Sequence, residues 1–218
     1  MKKFLPLMLD LTGKEVVIFG GGKVGERKAS FFSEAALVTI ISRDFTPDLE
    51  RLSEDGKIKL IKVQDLTDDE ILRYMKNAFI TIPATNDAIL NENIASIADS
   101  KGKLVNRVDD MGNVIVPSVI RQGDIVIGIS TLGYSPALSK FMRYKLEEVI
   151  TPEFSQMARL QNEFRELLKS KVKDQKVRSE ILWNVINDND VWDAFGESYE
   201  KAYKVALKHI DRIGKRYD

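Results

Sequence analysis

The chain of 218 residues is long enough for one large domain or two small ones, its 33 basic residues balance its 33 acidic ones, and it contains no cysteine. The missing cysteines exclude disulfides, thiolate metal sites and a cysteine nucleophile, and they fit a reducing, cytoplasmic setting. The charge balance gives no general argument for nucleic acid, and no apolar run approaches the roughly 18 residues of a membrane span, so we expect neither partner.

The first half of the chain alternates between strand and helix patterns. Short apolar runs predict strands at 15–19, 37–41, 58–63, 78–82 and 104–108. Helices are predicted at 23–35, from Thr67 to about Met75 and at 88–98; Thr67 and Glu70 form a capping-box pattern. This alternation predicts an α/β fold with a Rossmann-like, mostly parallel sheet covered on both faces.

The pattern changes after Asp110. Two β-rich runs, 114–120 and 124–130, predict a hairpin with its turn near Gln122 and Gly123. Pro136 predicts the start of a helix that reaches about Ile150, and the remaining chain is helical in pattern. We therefore expect a nucleotide-binding domain at 1–111, a hairpin and helix region at 112–150 and a helical domain at 151–218.

A G-x-G-x-x-G pattern, Gly20, Gly22 and Gly25, lies between the first predicted strand and helix. In that setting the first glycine permits a tight turn, the second lets backbone approach a pyrophosphate, and the third lets the helix pack on the strand. The helix N-terminus adds N–H groups and a positive dipole end. A glycine turn without a ligand is the alternative. We assign the phosphate-binding segment to Gly20, Gly21, Gly22, Lys23, Val24 and Gly25.

The rest of the predicted cofactor site lies at the ends of other strands. An acidic residue normally holds the ribose after the second strand, but here that strand ends in Ser42, Arg43 and Asp44. Ser42 or Asp44 could replace the acid, whereas Arg43 could favour the 2′-phosphate of NADP or remain a solvated loop residue. We expect NAD, with the choice left open by these residues. Thr85 and Asn86, after the fourth strand, are assigned to the nicotinamide end.

The absence of several catalytic motifs excludes some classes of enzyme. The sequence lacks the Tyr-x-x-x-Lys pair of short-chain dehydrogenases, a phosphate-binding P-loop and an HExxH metal motif. The single histidine, His209, is interpreted as a helix-surface side chain, and no metal site is predicted. What remains is a nicotinamide enzyme in which one carboxylate takes a proton acidified by loss of hydride. Asp109, at the rim of the fifth strand, is the candidate; a turn aspartate that caps the next element is the alternative.

Four segments resemble the siroheme synthase N-terminal family, the precorrin-2 dehydrogenases: FGGGKVGERKA, TIPATND, LVNRVDD and VPSVIRQGDIVIGISTLGYSPALSKFMRYKLEEVI. The resemblance covers about residues 3 to 150 and implies NAD-dependent oxidation of precorrin-2 to sirohydrochlorin, with ferrous iron insertion in some members. It implies an intertwined homodimer built by the hairpin and the following helix. It assigns the essential aspartate to Asp109, and it places Thr131 where the family has a serine.

The substrate implied by this resemblance is a tetrapyrrole polycarboxylate, which needs cationic side chains around its cleft. The polar loop before Pro136 could close on such a ligand, or could simply cap a helix, and each cation could equally be a solvated surface residue. Residues assigned to the substrate are Asn106, Arg121, Thr131, Ser135, Lys140 and Arg143. Two other functions stay open: a non-catalytic NAD-sensing module, and chelatase activity, alone or joined to the dehydrogenase as a ferrochelatase.

Overall fold

The computed structural model describes residues 3–108 and 111–217, and the side chains of 3–108 and 111–210. The chain divides into two compact units, Met1–Val116 and Pro117–Asp218. The three-part division of the sequence, with boundaries at 111 and 150, stays a prediction.

The described part of the first unit contains a five-stranded parallel sheet in the order β3-β2-β1-β4-β5. Its strands are β1 (Glu15–Phe19), β2 (Leu37–Ser42), β3 (Ile58–Lys62), β4 (Ala78–Pro83) and β5 (Leu104–Val105). The helices between them are α1 (Lys23–Phe32), α2 (Pro47–Glu54), α3 (Asp68–Met75) and α4 (Ala88–Ser100). This arrangement confirms the Rossmann-like α/β fold.

The central strand β1 shows why both faces of the sheet must be covered. Val16 and Ile18 pack in one apolar cluster with Phe32 of α1, whereas Val17 and Phe19 pack in a second cluster on α3 and α4. Alternate residues of a strand point to opposite faces, and all four of these side chains are 0% exposed. A continuous apolar run is therefore what a doubly covered parallel strand requires.

Several predicted boundaries in this unit were wrong. Helix α2 was not predicted from the sequence, although Thr46 caps it by accepting a hydrogen bond from the Leu49 N–H and Pro47 occupies its first turn. The first helix ends at Phe32, not at residue 35. The fifth strand comprises only Leu104 and Val105 and does not extend to residue 108; on its outer edge, Val105 bonds to a returning segment at Asn113 and Val114.

The second unit begins with an antiparallel hairpin and continues as helices. Its elements are β6 (Ser118–Gln122), β7 (Ile125–Ile129), α5 (Pro136–Glu147), α6 (Pro152–Lys171), α7 (Gln175–Ile186), α8 (Asn189–Phe195) and α9 (Tyr199–Tyr217). Gln122 pairs with Ile125, so the turn is Gly123–Asp124, one residue later than predicted. Gly123 has a φ of +58°, the left-handed conformation that favours glycine.

The helices α6 to α9 enclose an apolar core built around Leu160, Phe164, Val185 and Val191. His209 of α9 does not behave as a solvated surface side chain: its Nε2 lies 2.7 Å from Oδ2 of Asp188, and only 12% of the side chain is exposed. Asp188 also caps α8, so this contact joins two helices. No helix in the described ranges is both long enough and apolar enough to cross a membrane.

Candidate nucleotide site

The strand order reverses between β1 and β4, because the chain first builds the sheet outward through β2 and β3 and then returns to the other side of β1. The carboxyl ends of the two strands are joined directly: the Ala84 N–H donates to the Phe19 carbonyl oxygen at 2.8 Å. In open parallel sheets this reversal creates the crevice in which ligands bind. The glycine-rich segment begins at its edge.

The glycines of this segment fall into two structural roles. Gly20 has a φ of +122°, and an added Cβ would collide with the Ala84 carbonyl; at Gly25 it would collide with the Gly20 carbonyl. Both positions therefore require glycine for close backbone packing. Gly22 is different, because its φ of −83° suits any residue and no heavy atom lies within 4 Å of an added Cβ. The space in front of the first turn of α1 is therefore open, as a bound pyrophosphate would require.

A cavity of about 500 Å³ extends from this open space along the ends of the strands. The predicted cofactor residues that line it are Gly20, Gly21, Gly22, Ser42, Arg43, Asp44, Thr85 and Asn86. Lys23, Val24 and Gly25 lie in the first turn of α1, outside this lining. The structure thus brings the ends of β1, β2 and β4 together around one cavity, although their contacts with a cofactor stay predictions.

The loop after β3 also contributes to the cavity, and sequence reasoning did not foresee it. Gln64 and Asp65 line the wall beside the residues that follow β2. The signal was indirect: β3 is the parallel neighbour of β2, with Ser42 paired to Lys62, so the two exits share one edge. No local motif marks these residues.

Arg43 is held by that loop. Its Nε donates to the Gln64 carbonyl oxygen at 2.6 Å, and its Nη2 donates to Oδ1 of Asp65 at 3.1 Å. Asp44, the next residue, has a carboxylate oxygen 3.5 Å from the Lys62 amine. The charged side chains at the end of β2 are therefore each paired with a residue at the end of β3.

The wall at the end of β4 is fixed by Asn91, a buried residue of α4 that is 4% exposed. Its Oδ1 accepts hydrogen bonds from the Thr85 N–H at 2.9 Å and from the Thr85 hydroxyl at 2.8 Å, and its Nδ2 donates to the Thr85 carbonyl oxygen. Three bonds to one residue hold the loop in place, so Thr85 offers a rigid surface to the cavity. Sequence reasoning named Thr85 but not Asn91.

At the end of β5, Asn106 is 4% exposed and donates from Nδ2 to the Val114 carbonyl oxygen at 3.0 Å. Its Oδ1 is buried and has no hydrogen-bond partner among the described residues. Such an acceptor is costly to leave unpaired in a protein interior. The predicted catalytic residue, Asp109, lies outside the described residues, as does its competitor Asp110.

The remaining residues assigned to the substrate lie in the second unit. Thr131 and Ser135 belong to a helix entry: the Thr131 hydroxyl accepts from the Ser135 N–H at 3.0 Å, and Ser135 caps α5 at Leu138. Arg143 donates to Glu147 at 2.8 Å, and the Lys140 amine lies 5.6 Å from the Tyr144 ring centroid. Arg121 is an exposed residue of β6. The capped-helix alternative thus exists in the structure, and the substrate roles stay predictions.

Among the described residues, no group of three or more His, Asp or Glu side chains is arranged to hold a metal ion. The first unit combines a glycine-rich anion cradle, a rigid polar wall and a pair of charged loops. With a parallel sheet and a ligand crevice at its reversal, these features define a dinucleotide-binding protein.

Comparisons with known proteins give the particular family. A family model of NAD(P)-binding domains matches residues 7–118. The chain is 50% identical over 209 residues to the precorrin-2 dehydrogenase of Methanosarcina barkeri, covering 95% of this chain and 93% of that protein. The chain belongs to the precorrin-2 dehydrogenase family.

Two further comparisons show how much of each related protein this chain covers. The siroheme synthase of Zymomonas mobilis is 30% identical over 211 residues, which is 94% of this chain but 44% of that longer protein. The solved structure of SirC, a precorrin-2 dehydrogenase, superposes with a TM-score of 0.74 at 24% identity, over 96% of this chain and 100% of that chain. The structural match supports the fold over both units.

Proposed function

We propose that the protein oxidises precorrin-2 to sirohydrochlorin while it reduces a nicotinamide dinucleotide. The observation that carries this proposal is the open cradle at Gly22, at the strand-order reversal of a chain that is half identical to a precorrin-2 dehydrogenase. The reaction removes one hydride and one proton from the substrate. The protein must therefore hold a hydride acceptor, orient the macrocycle and take the proton.

The first task falls to the glycine cradle and the walls of the cavity. The backbone of Gly20 to Gly22 and the first turn of α1 would hold the pyrophosphate. Thr85, fixed by Asn91, would border the nicotinamide end and prevent the ring from shifting. A bound nicotinamide supplies the hydride acceptor, and a rigid wall keeps its reactive face at a constant distance from the substrate.

We assign removal of the substrate proton to Asp109. Loss of hydride leaves the macrocycle positively charged, so its protons become acidic and a carboxylate with an ordinary pKa can accept one near neutral pH. We assign Asn106, which follows β5, to orienting the substrate. Asp109 thus acts as general base, and Asn106 as an orienting group.

We further propose NAD as the cofactor in preference to NADP. Arg43 is the cation at the end of β2 that could recognise a 2′-phosphate, and two of its donors are already bonded to the loop after β3. The 2′-hydroxyl of NAD needs no cation, and Ser42 or Asp44 can bond to it.

We propose that the same region, α5 and the loop before it, forms the dimer interface and borders the substrate. Helix α5 and the loop before it expose large apolar side chains, including Tyr134 at 77%, Phe141 at 57% and Tyr144 at 47% exposure. A surface of this kind is typical of an interface, and a second copy of the chain is the occupant that we propose. Lys140, Arg143 and Arg121 would then border the tetrapyrrole carboxylates in the assembled dimer, with Thr131 and Ser135 in the adjoining loop.

The experiment is to incubate the purified protein with precorrin-2 and NAD or NADP and to follow the absorbance of sirohydrochlorin. Formation of sirohydrochlorin only when a nicotinamide nucleotide is added supports the proposal; nucleotide binding without turnover would favour the NAD-sensing module instead. A second incubation of sirohydrochlorin with ferrous or cobalt ion tests the bifunctional alternative. We expect metal insertion to be weak or absent.

A further inference from the structure

The loops that follow β2 and β3 meet at the rim of the cofactor cavity. Ser42 pairs with Lys62 at the last position of the two parallel strands, so the residues beyond them emerge side by side. Arg43 and Asp65 form an ion pair there at 3.1 Å, and both side chains are exposed, at 70% and 86%. The pair is therefore accessible to a ligand in the cavity and is not part of the core.

This rim is where the adenosine ribose lies in dinucleotide-binding folds, since the ribose contacts the end of the second strand. The cavity rim carries three charged side chains from these loops: Arg43, Asp44 and Asp65. Asp44 is paired with Lys62. A 2′-phosphate would therefore meet one guanidinium, and the neighbour of that guanidinium is the Asp65 carboxylate.

We infer that Asp65 makes the site select NAD over NADP by holding Arg43. To bind the 2′-phosphate, Arg43 must either leave Asp65 or bring the phosphate close to a carboxylate of like charge. Both alternatives cost binding energy for NADP, whereas the uncharged 2′-hydroxyl of NAD avoids them. This inference rests on the proposed role of the cavity as the cofactor site.

The test measures the dissociation constants of NAD and NADP for the wild type and for Asp65→Asn and Asp65→Ala. We expect NADP binding to tighten by about three- to tenfold, because Arg43 loses its carboxylate partner and can pair with the 2′-phosphate. NAD binding should change by less than about twofold. The gain for NADP should shrink as salt is added, since these charges are exposed to solvent.

A matched control is Asp55→Asn, which removes the same charge from an exposed pair with Lys57 at the other end of β3. It should leave the ratio of the two dissociation constants unchanged. In an Arg43→Ala background, Asp65→Ala should also lose most of its effect on NADP, because the two residues act as a pair.

The outcomes separate the inference from the function on which it depends. A wild type that binds neither nucleotide contradicts the proposed cofactor site itself, and the inference with it. A wild type that binds NAD, with the same NAD-to-NADP ratio in the Asp65 variants, overturns only the role of Asp65. A full gain for NADP that persists in the Arg43→Ala background overturns the Arg43–Asp65 mechanism.

Discussion

Gly22 shows how a single position can serve the ligand and not the fold. Its neighbours in the motif, Gly20 and Gly25, are required by backbone contacts that leave no space for a Cβ. Gly22 faces open space and has an ordinary φ, so folding alone gives no reason for glycine there. A side chain at this position should therefore disturb only what occupies the cradle.

We predict that Gly22→Val weakens NAD binding more than tenfold while the protein stays folded, because the added side chain fills the space assigned to the pyrophosphate. Calorimetric titration gives the affinity, and the thermal midpoint reports the fold. Ser30→Val is the matched control, an equally β-branched change at an exposed position of the same helix. Wild-type affinity in a folded Gly22→Val protein would remove the phosphate site from this segment.

Separate substitution of Asp109 and Asp110 tests which of the two carboxylates is the general base. Loss of a general base typically costs about 10² to 10⁴ in rate. We expect Asp109→Ala to lose turnover of precorrin-2 on that scale while NAD still binds, and Asp110→Ala to be much milder. Steady-state rates of both variants, with NAD affinity measured in parallel, decide between them. The opposite ranking would assign the proton transfer to Asp110.

Sequence patterns identified the residues of this site only where a local motif marks them. The glycines, Arg43 and Thr85 follow predicted strands directly, so their place at one edge could be predicted. Asp65 and Asn91 could not, because their roles depend on which strands are neighbours and on how α4 packs. His209 was misjudged for the same reason: its partner Asp188 is distant in sequence.

Among the helices and strands, those with a buried apolar run or a capping motif were predicted from the sequence. Fully buried parallel strands leave apolar runs, and the Thr67 capping box marks α3 as predicted. The helix α2 was missed because it buries only Leu49, whereas α3, of the same length, buries both Ile71 and Met75. The fifth strand was predicted to reach Val108, whereas its pairing with β4 ends at Val105.

Helix α1 contains a partly buried lysine, Lys28, whose protonation makes the stability of the protein depend on pH. Burial lowers the pKa of the Lys28 amine from 10.5 to about 8, with a smaller contribution from Arg27. In the unfolded chain the amine keeps its usual pKa, so between these two values the unfolded state binds more protons than the folded state. Stability should therefore rise with pH across this window, and the cost of burying the charge is fully present below it.

We predict that Lys28→Met stabilises the protein at pH 7 by roughly 1 to 3 kcal/mol, since each pKa unit corresponds to about 1.4 kcal/mol. The variant should also lose the rise in stability above pH 8. Urea unfolding at several pH values measures both effects. Lys57→Met, at an exposed position, should change the free energy of unfolding by less than about 0.5 kcal/mol. A destabilised Lys28→Met protein would show that the amine is not buried at a cost.

The whole molecule is expected to be a homodimer, and α5 provides the test. The resemblance to a family indicated the dimer, but the sequence alone could not show which side chains of α5 stay exposed on a single chain. We predict that Phe141→Glu converts the dimer to a monomer, because it places a charge in the apolar surface of α5. Light scattering at micromolar concentration measures the mass.

Trp183→Glu is the matched control, since Trp183 is 62% exposed on a different helix of the same unit. It should leave the mass unchanged. A wild-type protein that is monomeric at this concentration contradicts the dimer proposal, and a Phe141→Glu protein that remains dimeric places the interface elsewhere.

We propose that the protein couples removal of one hydride and one proton from precorrin-2 to reduction of a nicotinamide. The most direct measurement is the stoichiometry of an anaerobic reaction with limiting precorrin-2, in which NADH and sirohydrochlorin are quantified together. We expect equal amounts of the two products, formed only when the nucleotide and the protein are both present. Sirohydrochlorin formed without matching NADH, or at the same rate without the protein, would contradict this proposal.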